Sequence, residues 1–153
     1  MKVLDILEPA AVIADMRATS KPEALRELAG VVADLHPGID RTRLVEVLLD
    51  REELGSTAIG EGIAIPHGKF PGMTNVIAAF GRSMRGIDFD SLDGSPTRLF
   101  FLLVAPESSA GVHLKALARI SRLLKNKGFR ERIFAGTTSD ALFATIKDED
   151  EKY

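Results

Sequence analysis

The chain contains no cysteine, so disulfides and thiol catalysis are excluded at the outset. It also lacks an excess of positive charge. Its formal net charge is −2 at pH 7, whereas a surface that tracks nucleic-acid phosphates normally carries a basic surplus. No nucleic-acid partner is therefore expected. Long apolar runs are missing too. The longest, over residues 99–105, has the length of a buried strand and falls well short of the roughly 18 residues of a membrane span. The opening Met1-Lys2-Val3-Leu4-Asp5-Ile6-Leu7-Glu8 sets acids inside its apolar stretch, and a secretory signal needs that stretch unbroken. These absences lead us to expect a soluble, cytoplasmic protein without membrane insertion.

What is present suits one globular domain over 1–153, since 153 residues with 45% hydrophobic and 27% charged content can enclose a core behind a polar surface. Residues 11–14 (AVIA) read as a short strand. Ser20-Lys21-Pro22-Glu23 reads as a helix start, with Ser20 as cap, Pro22 in the first turn and Glu23 completing a capping box. Behind it Leu25, Leu28, Ala29 and Val32 fall on one helix face, and His36-Pro37-Gly38 ends the helix. A second helix starts near Asp40 with Leu44, Val47, Leu48 and Leu49 as its stripe and Gly55 as a left-handed stop. Arg51 continues that stripe, which predicts a guanidinium turned inward.

The glycine-rich segment 55–68 reads as two short strands with tight turns, ending at a Pro-His-Gly corner. Stronger strands follow over 76–83 and 97–105, joined by the turn Asp93-Gly94-Ser95-Pro96. A third long helix runs from Ser109 or Ala110 to Asn126 with His113, Leu117, Ile120 and Leu124 on one stripe. Gly128 is expected to break it. A short helix then carries Phe129, Ile133 and Phe134, and Thr138 or Ser139 caps a last one through Ile146. The acids of 148–153 meet the negative end of that helix dipole, so this end is expected to fray. Helices and strands alternate throughout, which predicts an α/β domain: one mixed β-sheet flanked by α-helices on both faces.

Three histidines are the first candidates for chemistry. His36 sits in a helix-ending turn that implies no role. His67 lies between Pro66, which fixes the approach of the chain, and Gly68, which leaves room beside the ring. It is either an imidazole presented to a partner or a turn histidine without function. His113 is either a satisfied core residue or a donor at a helix N-terminus, where the dipole favours an anion. Arg51 in a last helical turn either complements the dipole, worth about 0.3–1 kcal/mol, or waits for an anion. Together the three would make a phosphoryl-transfer site: a neutral imidazole nucleophile, a planar cation and a second donor for the equatorial oxygens.

The run REELGSTAIGEGIAIPHG, from Arg51 to Gly68, and the later GVHLKAL, opening at Gly111, resemble the two motifs of the fructose/mannitol-type (type 2) IIA domain of the phosphoenolpyruvate-dependent phosphotransferase system. The likeness extends to Leu4-Asp5-Ile6-Leu7 and Ser20-Lys21-Pro22 and covers nearly the whole chain. The resemblance implies that His67 is phosphorylated, that Arg51 and His113 stabilise the phosphoryl group, and that the donor is the histidine phosphocarrier protein HPr/NPr. It implies no cofactor and no metal. Sugar-type members pass the group to a IIB domain. Nitrogen-type members regulate targets such as sensor kinases and transporters, and the lack of a IIB-like cysteine motif or permease favours that branch.

Other readings have less behind them. A pure interaction domain would keep the fold without the chemistry, yet His67 and Arg51 are both present. Histidines this far apart lack the spacing of common metal sites such as His-Glu-x-x-His. Gly60-Glu61-Gly62 is a fragment of a dinucleotide fingerprint, and no phosphate loop exists. Ser56 and Thr57 could donate hydroxyls to a phosphate or cap the turn. Glu61 could orient an imidazole or be solvated, and Lys69 could face a partner or do nothing specific.

Overall fold

The computed structural model describes residues 1–152, Ala110 by its backbone alone. After two single 3-10 turns at Val3–Asp5 and Pro9–Ala11 come β1 (Val12–Ile13), α1 (Lys21–Leu35) and α2 (Arg41–Glu53). The middle of the chain forms β2 (Ala58–Gly60), β3 (Ile63–Ala64), β4 (His67–Phe70), β5 (Ile77–Ile87) and β6 (Thr97–Pro106). Helices α3 (Ala110–Lys125), α4 (Lys127–Ala135) and α5 (Ser139–Asp150) complete it. No helix among the described residues is long and apolar enough to cross a membrane.

The strands form one mixed sheet in the order β1-β5-β6-β3-β2, with β4 pairing β6 beyond β3. β5 and β6 are antiparallel, while β1 runs parallel to β5, and β3 and β4 run parallel to β6. β6 is the spine. Its residues from Leu99 through Ala105 are at most 1% exposed, and because strand side chains alternate, both faces must be covered. Gly81 points toward Leu28 of α1, and its neighbour Arg82 reaches the carbonyls of Ile133 and Gly136 at the end of α4. Helices thus cover both faces, as the alternating pattern predicts.

The caps act largely as expected. Ser20 Oγ accepts the Glu23 amide and Asp40 accepts those of Thr42 and Arg43, each cap worth about 1 kcal/mol. The capping box is only half formed, because the Glu23 carboxylate takes the Thr19 hydroxyl at 3.0 Å. Gly128 does not break α3. The side chain of Asn126 ends it by accepting the Phe129 amide at 2.9 Å and starting α4, so Gly128 lies within a first helical turn.

Three further expectations need correction. β5 runs on to Ile87, with a register shift after Arg82. The Pro-His-Gly segment is no corner: His67 opens β4 and pairs with Leu103. Pattern reading missed this strand because Gly68 and Lys69 lack the branched side chains that mark strands. The fraying expected of residues 148–153 does not reach Glu149 and Asp150, which are 2% and 1% exposed. Asp150 offsets its unfavourable place on the dipole by accepting the amides of Val3 and Leu4 and the Arg119 Nε–H at 2.9–3.2 Å. Tyr153 lies outside the described residues.

Candidate functional site

Among the described residues β4 pairs on one side only, with β6, so the sheet has an open flank there. Adjacent residues of β4 face opposite ways. Gly68 faces α2, where a β-carbon would stand 2.8 Å from Val47 Cγ1. The glycine after His67 therefore serves the approach of α2 to the sheet, not a turn. His67 faces the other side, where the first turn of α3 brings His113. The two rings meet edge-on, centroids 5.3 Å apart and planes at 71°. The last turn of α2 brings Arg51 round the open flank. Arg51, His67 and His113 line one cleft of about 610 Å³, together with Lys69 and the apolar side chains of Leu54, Leu114 and Leu117. The structure brings all three sequence candidates together; His36, at the far end of α1, lies elsewhere.

His67 Nδ1 lies 2.8 Å from the carbonyl oxygen of Ile65. A carbonyl can only accept, so Nδ1 carries the hydrogen and Nε2 keeps a free lone pair. Burial, more than any other cause, holds the His67 pKa below 6.5; the Arg51 charge pushes the same way, and the Ile65 bond and the Glu52 charge oppose it. His113 is lowered as well, by burial first and then by His67 and Lys69. Both rings are therefore neutral at pH 7. His113 is 7% exposed and its Nδ1 has no partner among the described residues, a cost of about 1–3 kcal/mol that a folded chain rarely bears without use.

Arg51 is only partly buried, which corrects the inward guanidinium expected from its stripe. The row Leu44, Leu48, Glu52 faces the core, and Arg51 stands one step round the helix, in line with Val47. Its Nη1 donates to the Gly55 carbonyl at 3.0 Å; Glu52, buried beside it, was not singled out by sequence reasoning. The row Leu44–Leu48–Glu52 at intervals of one turn was the signal that could have found it.

The undecided hydroxyls are engaged within the protein. Ser56 Oγ donates to the Phe89 carbonyl at 2.5 Å, and Thr57 Oγ1 donates to Glu52. Glu61 stands outside the cleft at the β2–β3 turn, where it and Gly62 take left-handed φ of 58° and 79°, the conformation a two-residue hairpin demands. Its amide donates to Asp93 at 2.9 Å.

Residues 5–149 match the family model described as the phosphoenolpyruvate-dependent sugar phosphotransferase system, EIIA 2. The chain belongs to this family. It is 43% identical over 146 residues, 95% of each chain, to a nitrogen regulatory protein of Bradyrhizobium diazoefficiens. It is 36% identical to a fructose-specific EIIABC component of Bacillus subtilis, covering 98% of this chain and 24% of that one. The crystal structure of the nitrogen regulatory protein IIA-Ntr from Neisseria meningitidis superposes with a TM-score of 0.85 at 31% identity, over 93% of this chain and 97% of that one.

Proposed function

We propose that this chain is a cytoplasmic phosphocarrier that accepts a phosphoryl group on Nε2 of His67 from the histidine phosphocarrier protein HPr/NPr. The observation that carries the proposal is the Nδ1–Ile65 contact of 2.8 Å: it commits one ring nitrogen and leaves the other as a neutral nucleophile in the shared cleft. The Nε2 lone pair attacks phosphorus as the bond to the donor's histidine nitrogen breaks, and the electron pair of that bond returns to the donor ring. Arg51 and a ring N–H of His113 take the equatorial oxygens, a service of positioning and charge more than of acid–base chemistry. Leu54 and Leu114, 85% and 65% exposed beside the cleft, supply apolar area for a docking partner.

The downstream use we propose is nitrogen-type regulation, with sensor kinases or transporters as targets, supported by the likeness to the Bradyrhizobium protein over 95% of both chains. A second reading, transfer to a IIB domain for fructose or mannitol uptake, is supported by the match to the fructose-specific chain. A domain that has kept the fold without the chemistry is a third reading.

The test is intact mass after incubation with phosphoenolpyruvate, enzyme I and the phosphocarrier. Wild type should gain one acid-labile phosphoryl group and His67→Ala none. No gain by wild type, with the upstream proteins shown to be active, would leave only the binding-module reading. Adding candidate IIB proteins then separates the sugar use from the regulatory one.

A further inference from the structure

Arg51 enters the cleft from a helix end whose neighbouring loop must itself be held. The loop turns at Gly55 and returns to the sheet at Thr57, and Gly55 supplies the carbonyl that receives the Arg51 guanidinium at 3.0 Å. Glu52, 8% exposed, closes that loop from beneath. Its Oε1 accepts the Thr57 amide at 3.0 Å, its Oε2 accepts the Thr57 hydroxyl, and Lys21 Nζ lies 3.0 Å away. Lys21, the first residue of α1, is itself anchored over the Phe89 ring and beside Asp90. A buried carboxylate met by three donors has little freedom to move.

We propose that Glu52 is a positioning residue for phosphoryl transfer: by fixing Thr57 it fixes the Gly55 carbonyl, and so sets the place of the Arg51 guanidinium in the cleft. The inference rests on the phosphocarrier reading. Glu52 does not line the cleft and is no catalytic residue; it acts through Arg51. Its charge also favours protonation of His67, against Arg51, so the adjacent pair moderates the net field at the ring.

The experiment measures single-turnover uptake from the phosphorylated carrier by wild type, Glu52→Gln, Arg51→Ala and the double variant, with thermal unfolding of each. Glu52→Gln should lower the rate constant about 10–100-fold, the range that loss of an outer partner brings to a directly acting group. In the Arg51→Ala background the same change should cost less than threefold, because the residue it positions is already gone. The His67 imidazole, followed by NMR, should titrate at lower pH in Glu52→Gln. Thr57→Val, which keeps the amide and removes the hydroxyl, gives a milder variant and should show a smaller loss of the same kind should Glu52→Gln fail to fold. A folded Glu52→Gln protein at wild-type rate, or an equal loss with and without Arg51, overturns the proposal. Failure of the wild type to take up phosphate would instead remove the reading on which it rests, and the wild-type arm shows that separately.

Discussion

Two arginines, one within the sheet in β5 and one at the end of α2, show how one side chain serves two purposes. Arg82 in β5 is 3% exposed and spends its donors on carbonyls: Ala14 at 3.0 Å, and Ile133 and Gly136 at 2.6 Å each. It bolts β1 and the end of α4 to the sheet, and the helix C-terminus it meets favours a cation. Among the described residues Arg51 has one such bond, to Gly55, and it turns toward a cleft. A buried guanidinium with its donors spent stabilises a fold. One held at a single point, with donors in reserve, is fitted to receive an anion.

The contrast can be broken at either end. The largest effect expected is on stability: Arg82→Met, measured by urea unfolding, should lose about 3–5 kcal/mol, since three carbonyls lose their buried donor. Phosphoryl uptake per folded molecule should be unchanged. Arg51→Ala is the mirror image. Uptake should fall about 100–1000-fold, the scale for removing a transition-state donor, while the unfolding free energy changes by less than about 1 kcal/mol. An Arg51→Ala protein that unfolds and transfers normally when folded would make the two arginines equivalent and end the comparison.

The smallest effect concerns pH and belongs to the Arg51 end alone. His67 and His113 both have folded-state pKa values below 6.5, with burial the first cause. Well above 6.5 both are neutral, folded or unfolded, and contribute nothing to pH dependence. As pH falls through 6.5 the unfolded chain takes protons first, so stability declines and levels off once the folded rings are protonated too. Unfolding midpoints between pH 7.5 and 5 should show this shallow decline, and His67→Gln should reduce it.

Much of this was legible because local rules agreed with the global fold. Leu25, Leu28, Ala29 and Val32 are all fully buried, as their spacing required, and Ser20, Asp40 and Thr138 all cap helices. The run 99–105 became the spine because only a fully covered strand tolerates it. What escaped was decided at long range. β4 exists because β6 offers it a partner, and Asp150 is buried because the N-terminal turn offers it amides. The three candidate residues were legible as a set through the motifs, but their meeting depends on a two-sided strand. Glu52 escaped because a glutamate in an Arg-Glu-Glu run reads as solvated until Leu44 and Leu48 are seen to share its side of the helix.

The Asp150 contacts also bear on the order in which the chain can be completed. Its carboxylate meets Val3 across 147 residues and Leu4 across 146, so the turn at Val3–Asp5 finds its partner only once α5 has come back to it. Such distant closure slows folding relative to local pairing. The same carboxylate also holds Arg119 at 2.9 Å, further along the helix that begins beside His67. One carboxylate thus ties the middle of α3 to the same closure that joins the Val3–Asp5 turn to α5.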